Sequence, residues 1–151
     1  MSALLALSHD PILLYDGTCG FCASSVQFVL RHERSHVLRF APLDGAVGRD
    51  VRAAWPEAAA ADTMILLDGG ARGPRLRSDA ALAVASLMGG PWRLAAIVRI
   101  LPRRLRDAAY DLVARHRHRL AGAPACLVPP AEAAHRFLDQ SASTSPRHPS
   151  P

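Results

Sequence analysis

Cys19 and Cys22 stand three positions apart in the segment Tyr15-Asp16-Gly17-Thr18-Cys19-Gly20-Phe21-Cys22. That segment follows the apolar run Ile12-Leu13-Leu14 and opens a helix-compatible stretch. Two thiols at this spacing can close a small disulfide ring. At a helix start, the free amides and the helix dipole also favour a thiolate. Thiolate is the species that attacks a disulfide, so the chemistry expected here is thiol–disulfide exchange. Cys19 is the expected nucleophile, because it lies at the strand-to-helix junction. Cys22, one turn further in and more buried, is the expected resolving thiol. Gly20 lets a substrate backbone approach, and Phe21 offers an apolar docking edge. Asp16 has two open roles: it accepts an amide hydrogen bond and fixes the turn, or it takes a proton from Cys22. A carboxylate there would by itself oppose a second negative charge on Cys19.

Other readings of the cysteine pair are structural burial and half of a zinc site. The zinc site needs two further ligands. Cys126 is the third and last cysteine. None of His32, His36, His116, His118 and His135 forms a second pair at a recognised zinc spacing. Cys126, among Pro124, Pro129 and Pro130, reads either as a lone buried thiol or as a third redox partner.

The elements that must hold these residues follow from the apolar pattern. Ile12 to Tyr15 reads as a buried strand, and Cys22 to His32 as a helix with Val26, Val29 and Leu30 on one face. Val37 to Ala41 reads as a second strand closed by Pro42, and Val47 to Trp55 as a helix stopped by Pro56. Thr63 to Leu67 is β-branched and aliphatic, a third strand. After the turn signal Asp68-Gly69-Gly70, Arg72 to Arg77 can return as an edge strand. Ser78 is then the expected N-cap of a helix running to Met88, with Asp79 in its first turn. Gly89-Gly90-Pro91 breaks the chain, Trp92 to Leu101 reads as another helix, and Pro102 marks the next boundary. Leu105, Ala108, Ala109, Leu112, Val113 and Leu120 then form an apolar stripe at helical spacing. A strand, a CxxC helix and a strand, followed by a hairpin and a helix, is the order of the thioredoxin fold. The expectation is therefore one α/β domain with a thioredoxin-like βαβ-ββα core and additional C-terminal helices. It spans residues 11–139, between an N-terminal extension (1–10) and a disordered Ser/Pro tail (140–151).

Composition agrees with a globular chain: 151 residues, 50% hydrophobic and 21% charged. Three cysteines are too few for a secreted disulfide scaffold. The net charge is +5, and every one of the 18 basic residues is Arg. Arg99, Arg103, Arg104, Arg106, Arg115, Arg117 and Arg119 crowd two successive helices. They read as a solvated face, with Asp107 and Asp111 as neighbours, or as an anion-binding face for nucleic acid, lipid headgroups or an acidic partner. Nucleic acid is disfavoured because no aromatic residues interleave for base stacking. Trp92 and Tyr110 read as core, and His116 as a packed or capping residue. No stretch reaches the roughly 18 apolar residues of a membrane span. No targeting segment is evident, so a cytoplasmic protein is expected.

At these residues the chain resembles the DCC family, the thiol–disulfide oxidoreductase-like DCC proteins. Their Asp-x-x-Cys-x-x-Cys motif is matched by Asp16, Cys19 and Cys22. The resemblance extends through Arg39-Phe40-Ala41-Pro42-Leu43, Ser78-Asp79-Ala80-Ala81-Leu82, Gly89-Gly90-Pro91-Trp92, Pro102-Arg103 and Tyr110 to Arg119, about residues 11 to 138. It implies a thioredoxin-like fold and disulfide exchange without a cofactor, since the electrons sit in the dithiol. The substrate is then a disulfide- or thiol-containing protein or small molecule, and a separate electron donor completes the cycle. The resemblance also singles out Ser78 and Asp79 as residues lining the site. Ordinary thioredoxins carry a cis-proline beside the CxxC, just before the third strand. Here Asp62-Thr63 precede Met64 with no proline, so either substrate docking differs or Thr63 fills that place. The binding-module alternative keeps the CxxC as a zinc site or redox latch and assigns the interaction to the Arg-rich helices.

Overall fold

Alternation along the strands decides the architecture. In the computed structural model, which describes residues 9–17, 20–61, 63–68, 73–120 and 130–138 (side chains of 118 and 120 excepted), β1 is Ile12–Tyr15 and all four of its residues are buried. Successive side chains of a strand point to opposite faces. Leu13 and Tyr15 enter one apolar cluster, and Ile12 and Leu14 the other. A strand buried on both faces needs cover on both, which accounts for its uninterrupted apolar sequence.

The first cover is helix α1, Gly20–His32. Cys22, Val26 and Val29 recur at i, i+4 and i+7, so they share the face that packs on Leu13 and Tyr15. Arg31 and His32 in its last turn complement the negative end of the helix dipole. The chain returns as β2, Arg39–Pro42, parallel to β1 with Leu13 opposite Phe40. The opposite face is covered by α2 (Ala46–Ala54) and the single turn α3 (Pro56–Ala59), through Val47, Val51 and Ala58. Pro56 ends one helix and occupies the first turn of the next, where its missing N–H costs nothing. Gly48 is required here: a Cβ would lie 2.1 Å from the Leu43 carbonyl oxygen.

β3, Ile65–Leu67, pairs antiparallel with β1, and β4, Arg75–Leu76, antiparallel with β3. The sheet order is β2-β1-β3-β4, mixed in direction, and together with α1 and the helix after β4 it is a thioredoxin-like α/β fold. β4 is shorter than the expected Arg72–Arg77 strand. Arg77 has φ +52° and already begins α4, Arg77–Met88. The short hairpin is held by Arg75 donating to Asp68 at 2.5 Å. The expected N-cap, Ser78, is corrected: Leu76 occupies the cap position with no side-chain cap bond, and Ser78 lies inside the helix. Its hydroxyl donates instead to Asp107 Oδ1 at 2.5 Å, a partner 29 residues away.

Gly89 and Gly90 both take positive φ and break the chain after α4, as the Gly-Gly-Pro signal implied. The next helix, Gly90–Ile100, is wound as a 3₁₀ helix, and α5 runs Arg103–Leu120. The expected apolar stripe of α5 does not close into core. Leu105, Leu112 and Val113 are 59%, 58% and 45% exposed, and their helix instead walls a cavity described below.

The last described segment, residues 130–138, completes the sheet edge. Phe137 bridges Phe40 in parallel, and the Leu138 amide donates to the Phe40 carbonyl at 2.7 Å. Phe137 stacks on Phe40 at 5.1 Å and meets Tyr15 edge-on. Beside it, Arg136 pairs with Glu33, and both side chains are almost wholly buried. Glu33 also accepts from the Val37 and Leu38 amides, and Arg136 donates to the Leu38 carbonyl at 2.9 Å. This buried pair is fully hydrogen-bonded, which is the condition under which burying two charges is tolerated. It ties the loop before β2 to the C-terminal segment.

Candidate active site

The sheet delivers the chemistry-bearing segment to one end of β1. Asp16, half-buried, directly follows the strand, and Gly20 is the buried first residue of α1. Cys19, the expected nucleophile, and Thr18 lie outside the described residues, as does Cys126. Cys22 sits in the first turn of α1. It is 3% exposed and belongs to the cluster containing Leu13 and Tyr15. The burial expected of the second cysteine is therefore present.

A cavity of about 670 Å³ opens from Cys22 between α1, α4, the 3₁₀ helix and α5. Its size falls within the range of small-molecule sites. Apolar walls come from Phe21, Phe28 and Val29 of α1 and from Leu101, Leu105 and Val113 on the C-terminal side. Polar atoms enter it at few points: Cys22, Thr63, Ser78, Arg106, Tyr110 and Arg117 are prominent among them. An apolar chamber with a few convergent polar groups binds an apolar portion of a ligand and fixes its orientation.

Tyr110 and Thr63 are two of the polar groups that share the cavity with Cys22, and both side chains line it. Burial pushes the Tyr110 phenol above its ordinary pKa; the Thr63 side chain and the Arg117 charge pull it back, while Cys22 and Asp111 push it up. The phenol and the Cys22 thiol belong to the same cavity wall. At neutral pH the phenol is uncharged and keeps its proton to donate.

The residues singled out from sequence divide into two groups. Cys22, Phe21, Thr63 and Ser78 meet in the cavity wall. Asp79 does not; it holds Arg103 at 3.0 Å and Arg106 at 3.1 Å, and Arg103 also reaches Asp107 at 3.7 Å. With the Ser78–Asp107 bond, these contacts lock the start of α4 to the start of α5. Arg103 and Arg106 of the Arg-rich run are thus spent on intramolecular pairing, and outside that run Arg77 meets Asp111 at 3.7 Å. Sequence reasoning placed Tyr110 in the core and Arg106 and Arg117 in a charge run. The available signal was a residue with a polar tip, Tyr110, interrupting an apolar helical stripe. His116 is exposed, and its Nδ1 donates to the Leu112 carbonyl at 2.8 Å. Among the described residues, no three His, Cys, Asp or Glu side chains converge as a metal site. No described helix is long and apolar enough to cross a membrane.

The sequence is similar to that of known proteins. The chain is 27% identical over 129 residues to the uncharacterized protein YuxK of Bacillus subtilis, covering 84% of this chain and 93% of that one. It is 29% identical over 113 residues to a chloroplastic DCC family protein of Arabidopsis thaliana, covering 74% of this chain and 65% of the relative. No solved structure gives a significant match. The DCC1-like thiol-disulfide oxidoreductase family matches residues 13–123, spanning β1, the cysteine helix and every wall of the cavity, and the chain belongs to that family.

Proposed function

We propose that the protein is a thiol–disulfide oxidoreductase in which Cys19 attacks and Cys22 resolves. The observation that carries this reading is the position of Cys22, buried in the first turn of α1 and lining an apolar cavity. Family membership supports a redox role, and the geometry supports how it is divided between the two cysteines. In the reducing direction, the Cys19 thiolate attacks one sulfur of a substrate disulfide. A Cys19–substrate bond forms, the substrate S–S bond breaks, and the first substrate thiolate leaves. Cys22, having lost its proton, then attacks Cys19 sulfur. The second substrate thiolate leaves, and the pair of electrons lost by the two cysteines has passed to the substrate. The leaving thiolates take up the protons released by Cys19 and Cys22. The oxidising direction is the reverse sequence.

Asp16 at the mouth of the turn and Tyr110 in the Cys22 cavity serve this scheme in different ways. Asp16 orders the turn or accepts the Cys22 proton; Tyr110, held neutral by burial, can donate a hydrogen bond to the developing thiolate at Cys22. Phe21 and Thr63 line the approach, with Thr63 standing where ordinary thioredoxins place proline, while Gly20 leaves the backbone open to substrate. Ser78 contributes to the wall, and Asp79 positions the helices that form it.

The test is turnover of a model disulfide by wild type, Cys19→Ser and Cys22→Ser. Loss of turnover in both variants, with a mixed disulfide accumulating on Cys19 only in Cys22→Ser, is the expected result. Equal turnover by Cys19→Ser and wild type would reject the assignment.

A further inference from the structure

The 3₁₀ helix Gly90–Ile100 presents an uncommon surface. Side chains at i and i+3 align in such a helix, so its residues fall into three rows. Leu94, Ile97 and Ile100 form one row, and they are 66%, 61% and 82% exposed. Arg93, Ala96 and Arg99 form the second, with both arginines exposed. The third row, Ala95, Val98 and Leu101, is less exposed, at 42% for Val98 and 46% for Leu101, and these two line the Cys22 cavity.

Charge completes the pattern. From Gly90 to Arg106 there is no acidic residue. Arg103 and Arg106 are engaged by Asp79. Arg93, Arg99 and Arg104 are exposed and have no acidic partner among the described residues. An exposed aliphatic row beside unneutralised arginines is the anatomy of a helix lying in a lipid interface: the apolar row enters the acyl boundary and the arginines meet anionic headgroups. A nucleic-acid partner would leave the aliphatic row unused, and the solvent-facing rows hold no aromatic residue for stacking. Arg93 and Arg99 lie on one side of the aliphatic row, with no acidic side chain between them and it, which is the charge an anionic headgroup layer complements.

We propose that this helix is a docking surface for an anionic lipid bilayer, binding peripherally through Leu94, Ile97 and Ile100 with Arg93 and Arg99, joined by Arg104 from the start of α5. Docking would hold the Cys22 cavity, which another row of the same helix lines, near the bilayer. The binding itself does not depend on thiol chemistry.

The experiment is co-sedimentation of the full chain with phosphatidylcholine vesicles, with and without phosphatidylglycerol. Three variants accompany wild type: Leu94→Ser/Ile97→Ser/Ile100→Ser, Arg93→Gln/Arg99→Gln/Arg104→Gln, and Cys19→Ser/Cys22→Ser. Circular dichroism checks their folding, and all the altered apolar and basic side chains are exposed. Wild type and the cysteine variant should bind the anionic vesicles in a salt-sensitive manner. Each surface variant should bind about tenfold more weakly or worse. Absence of wild-type binding would overturn the proposal, as would equal binding to the neutral vesicles or undiminished binding by both surface variants. Self-association through the aliphatic row, seen by sedimentation velocity without vesicle binding, would overturn it in favour of a second copy of the chain.

Discussion

At the scale of single residues, burial separates the roles. Cys22 is packed against the core of the sheet, so its thiol is shielded from bulky reagents while remaining open to the cavity. Alkylation of the reduced protein should therefore mark Cys19 before Cys22, read by mass spectrometry of quenched samples; equal rates would contradict the division of labour. Tyr110 gives a pH prediction whose sign can be worked through. Burial raises the folded-state pKa of its phenol above the unfolded value of about 10. The neutral phenol is favoured in the fold, so its contribution to stability is complete below about pH 10 and is lost as pH rises from there through the folded pKa. Wild type should lose stability above pH 10 more steeply than Tyr110→Phe in urea titrations, and parallel slopes would count against burial as the cause. Glu33 and Arg136 form a buried, hydrogen-bonded pair. Removing one partner, as in Arg136→Ala, should cost about 3–5 kcal/mol because a charge is left buried alone.

At the scale of elements, the regular repeat of apolar residues was readable and the contacts between distant segments were not. β1 has the expected bounds, and α1 begins two residues before the expected Cys22. β3 keeps only the aliphatic part of the expected Thr63–Leu67, which leaves Thr63 available for the cavity. Ser78 looked like an N-cap because Ser before a helical run ordinarily caps it. Asp107, far along the chain, instead takes its hydroxyl, and no local pattern announces such a competitor. The stripe on α5 was legible as helix, but periodicity shows only that one face is apolar, not whether it meets core, cavity or solvent. Glu33 and Arg136 carried no sequence signal, because charged residues in a chain of this composition are ordinarily exposed. Gly48 offers an element-scale test of the close approach between α2 and the turn before it. A methyl group cannot fit 2.1 Å from the Leu43 oxygen, so Gly48→Ala should destabilise by about 1–3 kcal/mol through forced backbone movement. Gly73→Ala, whose Cβ would meet only ordinary contacts, should change stability little under the same urea titration.

At the scale of the whole molecule, the β2-β1-β3-β4 sheet is a scaffold closed at one edge by the segment around Phe137. On one face the appended 3₁₀ helix and α5 add the outer walls of the cavity over the cysteine helix. Phe137 joins the chain end to Phe40 and Tyr15, so Phe137→Ala should cost about 3–5 kcal/mol and be visible in global unfolding rather than as local fraying. The most direct measurement on the molecule is a redox titration in glutathione buffers, with the thiols trapped and located by mass spectrometry. A reversible Cys19–Cys22 disulfide with a midpoint between about −270 and −120 mV, the span of CxxC oxidoreductases, is the expected result. Two thiols that never join across the titration, or that pair irreversibly with other cysteines, would contradict the assignment of this site to disulfide exchange.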